Sequence, residues 1–107
     1  MKEQEQKIQE MQILEQNLQN LLLQKQTFQM ESAENKSALE EIQKSDDEVF
    51  RIIGQLMLKT DKSKILEELF NKEKILNLRL KSIEKQENSI IERLESLKEE
   101  FMNKDKE

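Results

Sequence analysis

Four residue types with chemically useful side chains are absent from this 107-residue chain, which has no histidine, cysteine, tyrosine or tryptophan. It therefore offers no histidine that could act as a general base near neutral pH. It also has no thiolate that could act as a nucleophile or bind a metal. Because the chain has a single glycine, a glycine-rich loop that binds phosphate is also excluded. We expect a protein that is not an enzyme and that needs neither a cofactor nor a metal.

One acidic cluster, Asp46, Asp47 and Glu48, raises the question of a cation site. Three consecutive carboxylates do not reproduce the alternating oxygen ligands, or the glycine, of a calcium-binding loop. Together with Ser45, the two aspartates are residue types that favour turns over helix interiors. We interpret the cluster as the end of a helix.

Charge and composition narrow the class of protein further. A net charge of −5 without a concentrated basic face argues against binding to nucleic acid. No apolar run approaches the roughly 18 residues that span a bilayer, and the first residues do not resemble a signal peptide, so we expect a cytoplasmic protein without a membrane contact. With 38% charged residues, 35% hydrophobic residues and no proline, the composition is typical of long helices. Disorder is the competing interpretation.

Apolar residues recur at alternating spacings of three and four in two stretches, which is the pattern of a coiled-coil seam. We predict one helix over about residues 5–45 and a second over about 62–103. The first seam contains Ile8, Met11, Leu14, Leu18, Leu21, Phe28, Leu39 and Ile42. The second contains Leu66, Leu69, Leu76, Leu80, Ile83, Ile90, Leu94, Leu97 and Phe101.

If the chain folds back at Gly54, apolar positions of the two seams face each other. The polar interruptions also meet, because Asn35 falls opposite Glu73 and Lys25 lies within one turn of Glu87. Matched polar layers are a known way of specifying register. We therefore predict a mainly α fold, a long antiparallel coiled-coil hairpin. The predicted apolar pairs are Met11–Leu97, Leu14–Leu94, Leu18–Ile90 and Leu39–Leu69.

The bend itself, over about residues 48–60, alternates with period two and predicts a short β-hairpin that turns at Gly54. We place Phe50 across from Leu58 and Ile52 across from Leu56, with Val49, Ile53 and Met57 on the opposite face. A lone two-stranded hairpin is marginally stable in water, and apolar residues on both faces require partners. We expect the hairpin to join a β-barrel or sandwich between subunits. The candidate assembly residues are Val49, Phe50, Ile52, Ile53, Gly54, Leu56, Met57 and Leu58.

The run VFRIIGQLMLKTDKSKILEEL resembles the hairpin of the prefoldin family. It has an aromatic residue two positions before a β-branched residue, then the glycine, apolar positions, Lys-Thr and a helix start. The segments LQNLLLQKQTFQ and LRLKSIEKQENSI are similar to the flanking helices of that family. A single hairpin resembles the archaeal-type beta class. The resemblance implies one prefoldin-like domain over residues 1–107.

That resemblance also implies a function and partners. It implies a hetero-hexamer of two alpha and four beta subunits, with a platform of β-barrels and projecting coiled coils. Such an assembly is expected to act as an ATP-independent chaperone that captures unfolded polypeptides at the coiled-coil tips and delivers them to a group II chaperonin.

Both chain ends lie at the tip of the predicted helical hairpin, where apolar residues would contact clients. The candidate client-binding residues are Ile8, Met11, Ile13, Leu14, Leu97, Phe101 and Met102. For Leu14 and Leu97, closure of the coiled coil is the favoured alternative, because both lie on the seam. For the whole chain, the alternative is a structural scaffold or tethering protein that oligomerises through the β-hairpin. The two functions differ in whether one folded partner or many unfolded proteins are bound.

Overall fold

The structure is a computed structural model that describes residues 2–46 and 48–106, with side chains described as far as residue 103. Its elements are α1 (Lys2–Lys44), β1 (Glu48–Ile53), β2 (Leu56–Asp61) and α2 (Lys62–Lys106). The predicted fold class, two long helices separated by a β-hairpin, is confirmed. The chain forms two compact units, Met1–Thr27 with Leu80–Glu107 and Phe28–Arg79.

Hydrogen bonds near the β-hairpin explain where each helix stops and starts. The Ser45 backbone N–H donates to the carbonyl oxygens of Glu41 at 3.1 Å and Ile42 at 3.2 Å, and its hydroxyl also donates to the Ile42 carbonyl at 2.7 Å. These contacts satisfy terminal carbonyls of α1. At the start of α2, the Asp61 carboxylate accepts from the Ser63 hydroxyl at 3.2 Å and backbone N–H at 3.4 Å, as an N-cap residue does. Asp47, predicted to help end α1, lies outside the described residues.

The two strands pair in a register that differs from the predicted one. Ile53 pairs with Leu56, so the loop contains both Gly54 and Gln55 rather than glycine alone. The predicted pairs Phe50–Leu58 and Ile52–Leu56 are therefore wrong. A change of one residue in register moves every following side chain to the other face. The observed pairs are Glu48–Asp61, Val49–Thr60, Phe50–Lys59, Arg51–Leu58, Ile52–Met57 and Ile53–Leu56.

The loop geometry explains why a single glycine is placed here. Gly54 has a φ of +61°, whereas Gln55 does not have a positive φ. A positive φ at only the first of two loop residues is the pattern of a type II′ turn, which suits the twist of a β-hairpin. A Cβ atom at Gly54 would meet no atom within 4 Å, so glycine is favoured here by its backbone freedom and not by a lack of space.

Each compact unit has its own narrow core along the helix seam. In the unit Phe28–Arg79, the buried apolar residues are Leu39, Ile65 and Leu76. In the other unit they are Leu21, Ile83, Leu94 and Leu97. Ile65 was not assigned to the second seam, which was predicted to start at Leu66. Across the described residues, neither helix has a stretch that is long and apolar enough to cross a membrane.

Candidate assembly and client-binding surfaces

The β-hairpin presents apolar side chains to solvent on both of its faces, and we call these residues the hairpin surface. One face carries Phe50, Ile52 and Met57, and the other carries Val49, Ile53, Leu56 and Leu58. Ile52 and Met57, which pair across the strands, are 69% and 65% exposed. The sheet has only two strands, so each strand has an unpaired outer edge within the described chain. Such a hairpin is a template for pairing with further strands.

Two contacts link the first part of α2 to its surroundings, one to the hairpin and one to the end of α1. The Arg51 guanidinium donates a hydrogen bond to the Glu68 carboxylate. The Lys62 ammonium donates to the carbonyl oxygen of Ser45 at 2.9 Å, which joins the first residue of α2 to the end of α1. Arg51 belongs to the face that carries Leu58, so this face is the one that turns toward α2.

A buried polar layer joins the helices within the unit Phe28–Arg79. Asn35 and Ser32 are only 3% and 6% exposed, and both donate to the Glu73 carboxylate. The Ser32 hydroxyl lies 2.6 Å from Oε1, and Asn35 Nδ2 lies 3.0 Å from Oε2 and 2.9 Å from the Leu69 carbonyl oxygen. Lys36 Nζ lies 3.7 Å from Glu73 Oε1. The predicted meeting of Asn35 with Glu73 is confirmed.

These contacts change the acidity of Glu73. The Ser32 hydrogen bond lowers the pKa of its carboxyl from the ordinary value of 4.5, although burial opposes the change. The hydrogen bond from Asn35 and the charge of Lys36 lower the pKa further. One acceptor of the layer, Asn35 Oδ1, is buried and has no hydrogen-bond partner. The layer therefore stabilises the ionised form of Glu73. It also favours the alignment of the two helices that sets Ser32 and Asn35 opposite Glu73.

The other compact unit brings the two ends of the helices together. Lys7 Nζ lies 3.3 Å from Glu100 Oε2, and the Arg93 guanidinium donates to both carboxylate oxygens of Glu10, at 2.8 Å and 3.2 Å. The hydrogen bond from Arg93 lowers the pKa of Glu10. The early residues of α1 thus lie beside the late residues of α2, as the antiparallel pairing predicts.

The second predicted polar contact also forms in this unit. Lys25 Nζ lies 3.3 Å from Glu87 Oε1, so the two interruptions of the seam make a direct ion pair. The geometry is not that of a hydrogen bond, and Glu87 Oε1 is buried without a hydrogen-bond donor. The attraction between the charges is then the main compensation for burying this oxygen.

The candidate client-binding residues differ widely in exposure. Ile13 and Met102 are 61% and 60% exposed, and Ile8 is 40% exposed. Met11, Leu14 and Phe101 are half-buried along the seam. Leu97 is fully buried, which contradicts its inclusion among residues that contact clients and agrees with the alternative that it closes the coiled coil.

Sequence reasoning missed a set of exposed apolar residues away from both seams and the hairpin. Their signal in the sequence is that they are apolar residues that fall outside the three-and-four spacing of the seams. They are Leu22, Leu23, Met30, Phe70, Ile75, Leu78 and Ile91. In the acidic cluster, Asp47 lies outside the described residues. Among the residues that are described, no three acidic side chains converge to hold a metal ion.

Two long antiparallel helices separated by one β-hairpin define a class of coiled-coil proteins. Within this class, the chain belongs to the prefoldin subunit family, because the family model described as prefoldin subunit matches residues 5–107. Members of this family are chaperone subunits that assemble with other prefoldin subunits, and the family is not known as one of enzymes.

Individual relatives point to the beta class. The chain is 44% identical over 85 residues to prefoldin subunit beta of Thermococcus onnurineus strain NA1, covering 78% of this chain and 73% of that protein. It is 36% identical over 96 residues to prefoldin subunit beta of Methanosarcina acetivorans, covering 88% and 82%. The crystal structure of the prefoldin beta subunit from Thermococcus strain KS-1 matches with a TM-score of 0.87 and 33% identity, covering 94% of this chain and 90% of that one.

Proposed function

We propose that this chain is a subunit of a cytoplasmic, ATP-independent chaperone that holds unfolded polypeptides at the coiled-coil tips and delivers them to a group II chaperonin. The observation that carries the proposal is the exposure of Ile8, Ile13 and Met102 where the two helix ends meet. The assembled form is a hexamer of two alpha and four beta subunits.

Assembly is supported by the hairpin surface. Apolar residues cover both faces of a sheet that has only two strands, and no other described part of the chain covers Ile52 or Met57. Burial of apolar surface stabilises by about 25 cal/mol for each Å², so pairing of hairpins from several subunits has a clear driving force. Closure into a barrel would also remove the exposed strand edges.

Client binding is supported by the kind of apolar surface at the helix ends. Ile8, Ile13 and Met102 are single exposed side chains that lie among charged neighbours, so they do not form a broad patch that would itself aggregate. The thioether of Met102 is flexible enough to fit many different apolar segments. Each subunit would bind weakly, and several subunits acting on one unfolded chain would bind it strongly through effective concentration.

The test replaces two exposed residues at the helix ends, as Ile13→Ser and Met102→Ser in one chain. We expect the double variant, assembled with its partner subunits, to lose most of its ability to suppress aggregation of several unrelated denatured proteins. Light scattering measures this ability, and addition of ATP should leave it unchanged for the unaltered protein. Because both residues are exposed, circular dichroism and size-exclusion chromatography should be unchanged.

The matched control is Leu23→Ser, which removes an apolar side chain of similar exposure, 63%, from the same compact unit. Leu23 is ten residues from Ile13, a distance of about 15 Å along a helix. We expect this control to protect clients like the unaltered protein. Full protection by the double variant would contradict the client-binding role of the helix ends. Binding of one folded protein, without protection of denatured ones, would support the scaffold alternative.

A further inference from the structure

The compact unit that contains both helix ends has its negative charge concentrated at those ends. Residues 2–15 of α1 and 92–103 of α2 contain eight acidic and four basic side chains. Residues 16–27 and 80–91 of the same unit contain two acidic and three basic ones. The acidic segments are also the ones that carry the exposed apolar residues proposed to hold clients. We call residues 2–15 and 92–103 together the acidic tip.

Ion pairs neutralise only part of the acidic tip. Lys7 Nζ lies 3.3 Å from Glu100 Oε2, and Arg93 Nε lies 2.8 Å from Glu10 Oε1, so two of the four basic side chains are already engaged. The other two, Lys2 and Lys98, take part in none of the described ion pairs. Five exposed glutamates of the acidic tip also take part in none, so unpaired negative charges outnumber unpaired positive ones. These are Glu5, Glu15, Glu92, Glu95 and Glu99.

On α2, glutamates alternate with an apolar residue along one side of the helix. Glu92, Glu95, Glu99 and Met102 are spaced by three, four and three residues, and all four are exposed. Neighbours at these spacings have Cβ atoms about 5–6 Å apart. Lys98 lies one turn from Met102, but the three glutamates of this stripe outnumber it. A group that contacts the thioether of Met102 therefore lies within reach of the Glu99 carboxylate.

The start of α1 has a similar arrangement. Glu5, Ile8, Gln12 and Glu15 are spaced by three, four and three residues, and all four are exposed. Ile8 thus has a carboxylate one turn before it and an uncharged amide one turn after it. Neither stripe contains a basic residue. Both helices therefore place an exposed apolar side chain next to unpaired negative charge.

Lysine and arginine are the client side chains that suit these stripes, because each has an apolar stem and a cationic head. The stem can contact Met102 or Ile8 while the head reaches a neighbouring glutamate. An unfolded segment can adjust the spacing of its apolar and basic side chains to either stripe. A metal ion does not account for the glutamates, because no three acidic side chains converge within the part of the chain that the structure describes.

We propose that the acidic tip selects unfolded clients whose apolar segments contain lysine or arginine, over segments rich in aspartate or glutamate. This inference rests on the proposed function, because it specifies which clients the helix ends hold. A single exposed ion pair changes affinity by at most about fivefold. Several subunits acting on one client would multiply this preference, and their combined negative charge would also speed the arrival of basic segments.

Two unstructured peptides test the preference. They have the same length and the same apolar residues, and the intervening polar positions are all lysine in one and all glutamate in the other. Fluorescence anisotropy measures the binding of each labelled peptide to the chain assembled with its partner subunits. We expect the lysine peptide to bind about tenfold more tightly at low salt, since two or more weak ion pairs form together. At about 1 M salt the screening length is only about 3 Å, so the ratio should approach one.

The variant Glu95→Gln/Glu99→Gln removes two charges from the α2 stripe and nearly preserves side-chain size. We expect it to bind the lysine peptide about fivefold more weakly, and the glutamate peptide equally or more tightly. A structural defect would instead weaken the binding of both peptides. The matched control is Glu34→Gln/Glu41→Gln, which removes two charges from exposed positions in the other compact unit. This control should leave the ratio of the two affinities unchanged.

The outcomes separate this inference from the proposed function. Equal binding of the two peptides to the unaltered protein at low salt would overturn the preference and leave client binding intact. An unchanged ratio in Glu95→Gln/Glu99→Gln would overturn the role of these glutamates. Binding of folded lysozyme, a basic protein, as tightly as the lysine peptide would overturn selection of unfolded clients. Failure of both peptides to bind would contradict the proposed function as well as the preference.

Discussion

At the scale of single residues, Glu73 shows how a polar group can be stable inside a coiled-coil seam. Its two oxygens accept from Ser32 and Asn35, so the carboxylate receives charge-assisted hydrogen bonds in place of water. Sequence reasoning predicted that Asn35 and Glu73 would meet, because both interrupt otherwise apolar seams. It did not predict which atoms would pair, because the spacing of residues does not determine side-chain rotamers.

The lowered pKa of Glu73 predicts that the free energy of unfolding depends on pH. A carboxyl whose folded pKa lies below its unfolded value of about 4.5 stabilises the fold above that value, and the stabilisation is lost as the pH falls through the folded pKa. Glu73→Gln keeps an acceptor but removes the charge. We expect it to lower the free energy of unfolding by about 1 kcal/mol at pH 7, because hydrogen bonds to charged groups contribute more than neutral ones.

Urea unfolding of both proteins at pH 7 and at pH 3 measures this effect. The difference between them should shrink at pH 3, because the stabilisation by the charge begins to decrease once the pH falls below the ordinary pKa of 4.5. Glu95→Gln is the control, since Glu95 is an exposed glutamate of the same helix. Equal stability of Glu73→Gln and the unaltered protein at pH 7 would contradict a stabilising role for the charge.

Leu97 is a second residue whose role could be assigned only from the structure. The sequence placed it both on the seam and near the chain end, and those two positions favour opposite functions. The structure buries its side chain completely, so it packs in the coiled coil. Ile13 differs because it lies off the seam, which the heptad spacing alone was enough to indicate.

At the scale of elements, the β-hairpin was predictable in its existence but not in its register. Period-two alternation around one glycine indicated two strands and a turn. Alternation does not say whether the loop has one residue or two. Because the loop includes Gln55, Leu56 and Leu58 lie on the face opposite to Phe50 and Ile52.

The corrected register identifies the pair of residues to change in a test of assembly. Ile52 and Met57 lie opposite each other on one face and are strongly exposed. We expect Ile52→Ser/Met57→Ser to shift the protein to smaller species on size-exclusion chromatography, because the change removes apolar surface that neighbouring hairpins would bury. Circular dichroism should still report two long helices, because neither residue belongs to the helix seam.

The control for this experiment changes polar residues of the same face, as Glu48→Gln/Lys59→Gln. These side chains form an exposed ion pair at 3.7 Å, and such pairs contribute little stability. We expect normal assembly of this control. An oligomer of unchanged size in the Ile52→Ser/Met57→Ser variant would show that the hairpin surface is not the site of assembly.

At the scale of the whole molecule, the proposed function assigns assembly to one compact unit and client binding to the other. The unit Phe28–Arg79 contains the hairpin surface and the buried polar layer, whereas the other contains the helix ends and the exposed residues proposed to hold clients. Each unit has its own buried leucine and isoleucine residues, so a change confined to one should leave the contacts of the other in place.

Removal of residues 1–13 together with 98–107 tests this division. We expect the shortened chain to assemble normally with its partner subunits, because the hairpin surface and its supporting unit are retained. We also expect it to fail to protect a denatured client, because Ile8, Ile13, Phe101 and Met102 are missing. Size-exclusion chromatography and an aggregation assay measure the two properties. Undiminished protection would place the client-binding surface elsewhere on the chain.

By itself, the sequence determined the two helices, their antiparallel pairing, the polar contacts of Asn35 and Lys25, and the presence of a β-hairpin. These features follow from spacing, because each helix or strand repeats its apolar residues with a characteristic period. Only the tertiary structure decided the strand register, the burial of Leu97 and the contact of Ser32 with Glu73. Those properties depend on loop length, packing depth and the alignment of distant residues, about which local periodicity carries no information.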